Sequence, residues 1–322
     1  MNIFLSIILN SIIPIFILIS LGYIIDIKFK PDMSTLTKMN FYLFVPAFSF
    51  VNIYTTDISI DLIRVIALTV ALLGINFVFG AGIAKLLRLP KKTGKAFENS
   101  VMFNNSGNIG ISLMTLVFSN PPFTTINIES GATPYLEVAL SVQVMTLLVQ
   151  NLTTNTLGFI NSGGEGMTLK AGIMRVIKMP TLYAIICAVL FKLLPLDFTL
   201  TPMWSALDYL KSGMISIALI TLGVQFAKTR IKFKLKTPYI AAFCRLIGGP
   251  ATAFVLIKLF GFDGVTAQAV FIASATPTAV NTALLAVECE GDADFAVQTV
   301  TISTLFSAVT MTTAVYLAYV LF

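Results

Sequence analysis

Histidine is absent from the 322-residue sequence, and charged residues make up only 11% of it. Without histidine, neither a Ser-His nucleophile nor a His-ligated zinc centre can be built, and the commonest proton relay is missing. The three cysteines, Cys187, Cys244 and Cys289, fall within or at the end of different predicted spans, at a spacing that fits neither a disulfide framework nor a metal site. We therefore predict no cofactor and no bound metal.

Apolar residues, by contrast, make up 57% of the chain, and the mean hydropathy is +0.90. This is the composition of a polytopic membrane protein and not of a soluble domain. A span needs about 20 predominantly apolar residues to cross a hydrocarbon core of about 30 Å. Ten such segments are predicted, near residues 3–25, 34–54, 61–84, 94–119, 134–159, 171–194, 202–227, 237–260, 264–288 and 293–321.

The basic residues are divided unequally between alternate loops. One set of loops carries Lys28 and Lys30 and the basic clusters within 85–95, 170–178 and 228–236, while the other set holds little more than Arg64, Lys192 and Lys258. Because lysine and arginine are retained on the cytoplasmic side, we expect a multi-pass protein of the plasma membrane with both termini outside. The net charge of +6 then reflects orientation and not a nucleic-acid surface.

The spans divide into two halves of five. We predict a first repeat over 1–160, a short cytoplasmic linker over 161–170 and a second repeat over 171–322. With an odd number of spans in each, the halves must lie inverted in the membrane. Pro14 in the first span and Pro180 in the sixth occupy comparable depths, and the fourth and ninth spans both carry polar breaks. The predicted fold is an all-α membrane protein of ten transmembrane helices, arranged as two inverted five-helix repeats with crossed, broken fourth and ninth helices.

The two breaks are the polar runs 104–110 and 274–282. Lipid offers backbone groups no partner, so such runs are tolerated only inside protein or beside a water-filled cavity, and paired breaks point to a transporter's binding site. Half-helix N-termini attract anions, whereas C-termini and unwound carbonyls hold cations. The alternative is a pair of kinks whose asparagines only join helices. We predict that substrate is bound by Asn104, Asn105, Ser106, Gly107, Asn108, Gly110, Thr276, Pro277, Thr278 and Asn281.

Ionisable residues within the spans are few. Arg245 is the only arginine deep in a predicted span, and it is a candidate for a fixed positive charge that faces a substrate or a carboxylate partner. The alternative is that its side chain snorkels to the interface. Glu98 and Glu137 lie near span ends on opposite sides of the membrane; they are candidates for proton coupling or, alternatively, ordinary solvated carboxylates.

Several motifs together resemble the auxin efflux carrier family of the bile acid/auxin transporter superfamily. This family includes bacterial organic-acid permeases and the plant PIN-type auxin exporters. The motifs are Pro14 and Gly22-Tyr23 in the first span, Asn40 and Phe44-Val45-Pro46-Ala47-Phe48-Ser49-Phe50 in the second, Asn105-Ser106-Gly107-Asn108-Ile109-Gly110-Ile111-Ser112 in the fourth, Arg245-Leu246-Ile247-Gly248-Gly249-Pro250-Ala251 in the eighth and Pro277-Thr278-Ala279-Val280-Asn281 in the ninth. The resemblance covers nearly the whole chain.

The resemblance implies a ten-span fold in which the fourth and ninth spans cross between a scaffold and a transport domain. It also implies a secondary carrier of organic anions, in which Asn105 contacts the substrate carboxylate and the segments around Pro46 and Pro277 line the cavity. Two residues depart from the pattern: Ser112 stands where the fourth-span proline is common, and Thr282 where plant members carry a second proline. These departures put the crossover geometry and the substrate in question.

Our leading hypothesis is a secondary active or facilitative carrier of a small organic anion that works by alternating access. We prefer malate or malonate to an auxin-like acid. The alternative is a sodium-coupled symporter of the bile-acid type, but the ninth-span break offers no acidic ligand, so proton coupling or facilitated movement is preferred. A channel lacks a repeated pore lining and an intramembrane enzyme lacks a general base. The expected partners are the anion and the lipid bilayer, with a proton or sodium as co-substrate and a homodimer left open.

Overall fold

The computed structural model describes residues 3–56, 60–124, 133–163, 168–194, 197–229 and 235–322. It is 86% helix, and the described residues contain no β-strand. The centre of the predicted linker, residues 164–167, and residues 230–234 of the predicted basic loop lie outside the described residues. The all-helical class predicted from composition is confirmed.

The helices follow the predicted spans, with breaks inside some of them. They are α1 (Ile3–Phe29), α2 (33–55), α3 (Ile60–Leu86), α4 (Lys91–Met102), α5 (Ser106–Phe118), α6 (Pro134–Asn161), α7 (Leu169–Ile177), α8 (Pro180–Lys192), α9 (Pro202–Ala227), α10 (Lys236–Phe260), α11 (Gly264–Ser274), α12 (Val280–Glu288) and α13 (Ala293–Leu321).

Six of these helices are long and apolar enough to cross a membrane: α1, α3, α6, α9, α10 and α13. The count rises to seven if α7 and α8, which are bent by 57° at their junction, form one span. The predicted second span falls on α2, the fourth on α4 and α5, and the ninth on α11 and α12, all of which are shorter or more polar. A multi-pass membrane protein is therefore confirmed at the level of these six helices.

Three helices carry a proline well inside the helix, beyond its first turn, and each of these three prolines follows a π-helical turn. The turns Ile8–Ile12, Asn40–Phe44 and Cys244–Gly248 come two residues before Pro14, Pro46 and Pro250. A proline inside a helix has no N–H and its ring clashes with the carbonyl of the preceding turn. One widened turn relieves that clash while the helix continues, so these prolines do not end the helices.

The helices α1, α2, α8 and α9 pack as one group. α1 lies on α9, and α2 lies on both α8 and α9. The crossing of α1 and α9 is made by backbone, because a Cβ atom on Gly22 would lie 2.1 Å from the carbonyl oxygen of Ile220 and one on Gly223 would lie 2.0 Å from that of Ile19. Only glycine allows two helices to approach this closely.

The remaining helices surround the broken segments. α4 packs on α3 and α13, while α11 packs on α6, α10 and α13. The short helix α5 is enclosed by protein, as its fully buried apolar residues show: Ile109, Ile111, Leu113 and Met114. A half-helix needs this enclosure, because its free end carries backbone groups that lipid cannot satisfy.

Candidate functional site

The two predicted breaks lie directly against each other. Between α4 and α5, and between α11 and α12, the helices are interrupted, and Asn104 and Thr278 form an antiparallel bridge. The Asn105 amide donates to the Pro277 carbonyl at 2.7 Å, and the Ala279 amide donates to the Phe103 carbonyl at 3.0 Å. We call this pairing the crossing. It satisfies backbone groups that the ended helices would otherwise leave unpaired.

The Asn104 side chain joins the two halves of the crossing. Its Nδ2 donates to the Ala273 carbonyl at 2.7 Å and to Thr276 Oγ1 at 2.6 Å. Thr278 makes the matching contact in the other direction, since its Oγ1 donates to the Ser100 carbonyl at 3.0 Å. Asn104, Thr276 and Thr278 are thus committed to holding the crossing together.

Two glutamines of α6 support the crossing from the side. Gln150 accepts from the Asn104 amide at 3.1 Å and donates to Ser106 Oγ at 2.6 Å, while Gln143 donates to the Ser106 carbonyl at 2.6 Å. Gly110 gives Gln143 its space, because a Cβ there would lie 2.4 Å from Gln143 Nε2. The start of α5 is therefore held by hydrogen bonds from α6.

Replacing Gln150 with leucine is expected to destabilise the protein. The substitution leaves the buried Asn104 amide and the Ser106 hydroxyl without these partners, and each unsatisfied buried group costs about 1–3 kcal/mol. Thermal unfolding of the purified protein should show a clear fall in Tm for Gln150→Leu. Gln150→Glu keeps the acceptor for the Asn104 amide, so its Tm should fall less than that of Gln150→Leu. An equal fall in Tm for the two variants would mean that the hydrogen bond to the Asn104 amide contributes little to stability.

Two helix N-termini meet at the crossing. α5 begins at Ser106 and α12 begins at Val280. Asn105 caps α5, because its Oδ1 accepts from the Asn108 amide at 3.2 Å. Each N-terminus carries about half a positive charge. The crossing thus has an electropositive side made of backbone alone.

The Asn105 amide group is held in one orientation. Since Oδ1 caps α5, Nδ2 must point the other way. Asn105 is only 5% exposed, and Nδ2 is buried with no hydrogen-bond partner among the described residues. A buried unpaired donor is costly, so this Nδ2 is available to an acceptor that enters the inner cavity.

Two neighbouring cavities reach the N-terminal side of the crossing. The inner cavity has a volume of about 70 Å³ and is lined by 104–108, α6 and the start of α12. By comparison, on the order of 10–15 Å³ holds one water. The outer cavity, about 770 Å³, lies between α2 and α9 on one side and α5, α6, α12 and α13 on the other. This is the size of ordinary small-molecule sites, about 300–1,000 Å³.

The structure brings part of the predicted site to these cavities. The predicted residues that line them are Asn104, Asn105, Ser106, Gly107, Asn108 and Asn281. Thr276, Pro277 and Thr278 belong to the crossing and Gly110 lies in α5 against Gln143, and none of these four residues lines either cavity. Pro46 lies in α2 beside Val45, which does line the outer cavity.

The predicted charged candidates lie away from the cavities. Arg245 is 1% exposed and its guanidinium donates to helix carbonyls, so it neither snorkels to the interface nor faces either cavity. Glu98 forms an ion pair with Lys95 at 2.9 Å. Glu137 is exposed in the first turn of α6.

The chain is similar to known membrane transport proteins. A family model described as "Membrane transport protein" matches residues 7–316. The chain belongs to the auxin efflux carrier family. It is similar to an uncharacterized transporter of Methanothermobacter thermautotrophicus, with 23% identity over 310 residues that cover 94% of this chain and 95% of the relative. An uncharacterized transporter of Methanocaldococcus jannaschii is 30% identical over 102 residues, 32% of this chain and 33% of that protein.

The site of this auxin efflux carrier family member includes residues that the sequence analysis did not select as substrate-binding. Gln143, Gln150 and Asn151 of α6 contact the crossing or line the inner cavity, and Asn40 of α2 donates to Asn108 Oδ1 at 3.0 Å. One signal was present in the sequence. Polar residues stand at positions i, i+7 and i+8 of an apolar segment, namely Gln143, Gln150 and Asn151. This spacing places them on one face of a helix.

Proposed function

We propose that this protein is a secondary carrier that moves a small organic anion across the plasma membrane by alternating access. The observation that carries the proposal is the unpaired Nδ2 of Asn105, buried beside the inner cavity. Next to it, the N-termini of α5 and α12 supply a positive potential without a side-chain charge. A carboxylate accepts hydrogen bonds only, so it matches this set of donors.

The lining of the outer cavity favours one class of anion. Apart from amides and hydroxyls it is largely apolar, with Phe41, Leu147 and Leu284 among its side chains. Its charged residues among those described are Lys228 and Asp294, and Lys228 already lies 3.2 Å from Asp26. A second carboxylate would find no cation of its own there. These surroundings support a monocarboxylate with an apolar body over malate or malonate.

The packing of the helices supports two inverted repeats over 1–160 and 171–322, with the linker at 161–170. If each predicted span is replaced by the span five places further along the chain, counting on from the tenth to the first, two of the main helix contacts are exchanged for two others that are also present. The contact between the first and seventh spans (α1 with α9) corresponds to the contact between the sixth and second spans (α8 with α2). Likewise, the contact between the fourth and tenth spans (α4 with α13) corresponds to the contact between the ninth and fifth spans (α11 with α6). A two-fold relation of this kind suits alternating access, because each state can mirror the other.

The outer cavity opens at one end of the helix bundle. Its lining includes Met33 at the start of α2 and Lys228 just after α9, both in the predicted cytoplasmic loops. At the other end Ser141 Oγ of α6 donates to Thr56 Oγ1 at 2.6 Å, and an aromatic cluster fills the space between α2, α8 and α9: Phe50, Tyr54, Phe191, Phe198 and Trp204. This arrangement supports an inward-facing state of the proposed carrier.

The test is uptake by proteoliposomes. Purified protein should exchange a radiolabelled aromatic monocarboxylate across the membrane and should be stabilised thermally by the same compound. Malonate and malate should compete weakly, and the matching uncharged amide should not compete. If no carboxylate in such a panel is either exchanged or stabilising, the carrier proposal is wrong; if dicarboxylates are preferred, the assignment of the substrate class is wrong.

A further inference from the structure

The Arg245 guanidinium joins the C-terminal ends of two half-helices. Nη1 donates to the Val101 carbonyl at 3.0 Å, in the last turn of α4, and Nη2 donates to the carbonyl of Ser274, the last residue of α11, at 2.6 Å. Both acceptors are terminal carbonyls that have no partner within their own helix. Arg245 therefore contacts the electronegative side of the crossing, while the cavities lie at its electropositive side.

The charges on this side balance. Each helix C-terminus carries about half a negative charge, so the two ends together carry about one. The guanidinium carries one positive charge, and the described residues include no carboxylate within ion-pair distance of it. The two helix ends are thus its only counter-charge in the part of the chain that is described.

The local backbone is shaped to hold this side chain. Arg245 lies in the π-helical turn of α10, and Gly249 follows one turn later. A Cβ atom on Gly249 would lie 1.8 Å from Nη2, so any other residue would displace the guanidinium. A widened turn and a glycine beside one side chain indicate a built position for that charge and not an accidental contact.

Carriers with discontinuous helices commonly use such C-terminal ends and unwound carbonyls to hold a coupling cation. We propose that the Arg245 guanidinium is a built-in counter-cation of the crossing, which takes the place of an inorganic cation and makes transport independent of one. Removing the guanidinium then leaves a site for a free guanidinium ion or, more weakly, a monovalent metal ion. The independence from cations rests on the proposed carrier function; the counter-cation role does not.

Thermal unfolding of purified Arg245→Ala tests the counter-cation role. The variant should have a lower Tm than the unmodified protein in choline chloride. Guanidinium chloride, at millimolar concentrations far below those that denature, should raise its Tm with the logarithm of concentration, and sodium chloride should raise it less. The matched control is Arg175→Ala, since Arg175 is a partly exposed arginine paired with Glu288. Neither this control nor the unmodified protein should respond to guanidinium.

Equal Tm values for Arg245→Ala in guanidinium, sodium and choline, or an equal response in all three proteins, would overturn the proposal. If Arg245→Ala does not fold, the pair Arg245→Lys and Arg245→Gln decides. The lysine variant keeps the charge and should retain a higher Tm than the glutamine variant, whereas equal losses would show that shape and not charge matters. Gly249→Ala should lower the Tm as well; an unchanged Tm contradicts the placement of the guanidinium.

Uptake measurements test the second claim of the proposal, that transport is independent of an inorganic cation. In proteoliposomes, unmodified protein should exchange its carboxylate at the same rate when choline replaces sodium on both sides, and Arg245→Ala should regain exchange when guanidinium is added. A requirement of the unmodified protein for sodium would overturn cation independence. Absence of any carboxylate exchange would instead count against the carrier function, and the unfolding experiment would still decide the role of Arg245.

Discussion

Replacing Asn105 with aspartate should weaken carboxylate binding at least about tenfold while leaving the fold intact. Aspartate keeps the oxygen that caps α5, and it places a negative charge at a helix N-terminus, where such a charge is favourable. What it removes is Nδ2, the buried donor that has no partner among the described residues. A hydrogen bond to a charged group contributes about 1.5–3 kcal/mol, so affinity should fall at least about 10- to 100-fold, and more through repulsion of the anion.

Two other variants complete this experiment. Asn105→Ala removes the donor and the cap together, so it should lose binding and also about 0.5–2 kcal/mol of stability. Asn120→Asp makes the same chemical change at a residue that does not line the cavities, and it should leave binding unchanged. Binding is read from ligand-induced shifts in Tm and from competition in uptake. Full affinity in Asn105→Asp would remove Asn105 from the site.

Replacing Gly22 or Gly223 with alanine should cause the largest loss of stability of any small substitution considered. Each added methyl group would meet a backbone carbonyl of the facing helix at about 2 Å, namely Ile220 or Ile19. A backbone group cannot rotate away, so α1 and α9 must separate. Overpacking usually costs about 1–3 kcal/mol, and this contact should reach the upper end or exceed it.

The matched controls are Gly74→Ala and Gly82→Ala in α3. A Cβ atom at either position meets nothing within 4 Å. Alanine is about 0.5–1 kcal/mol more favourable than glycine inside a helix, so these variants should be as stable as the parent or slightly more stable. Thermal unfolding in one detergent compares all four. If all four behaved alike, the close crossing of α1 and α9 would be refuted.

Several features were predictable from the sequence because they depend on local composition. Membrane-length apolar runs predict helices, since lipid leaves the backbone no other partner. The polar runs at 104–110 and 274–282 were rightly expected to interrupt helices: α4 ends at Met102 and α11 ends at Ser274. The motifs across the chain also identified the family.

Other features depend on contacts between distant residues, which no local pattern contains. From the sequence, Arg245 was a candidate for a charge that faces a substrate or a carboxylate partner, with snorkelling to the interface as the alternative. In the structure its guanidinium contacts helix carbonyls, because its direction is set by the glycine beside it and by two helix ends more than 25 residues away in the chain. In the same way, Asn104 and Asn105 are adjacent and chemically identical. Only the structure separates their roles. Asn104 Nδ2 is hydrogen-bonded within the crossing, whereas Asn105 Nδ2 has no partner among the described residues.

The sequence by itself thus determined the class of protein, the positions of the two breaks and the family. Hydropathy and the chemistry of glycine, proline and asparagine act over a few residues, so they can be read along the chain. The tertiary structure alone decided how the polar groups are divided between the two sides of the crossing. Helix N-termini and the free amide of Asn105 face the cavity, and helix C-termini face Arg245, because the antiparallel pairing of the two breaks places like ends of the half-helices on the same side.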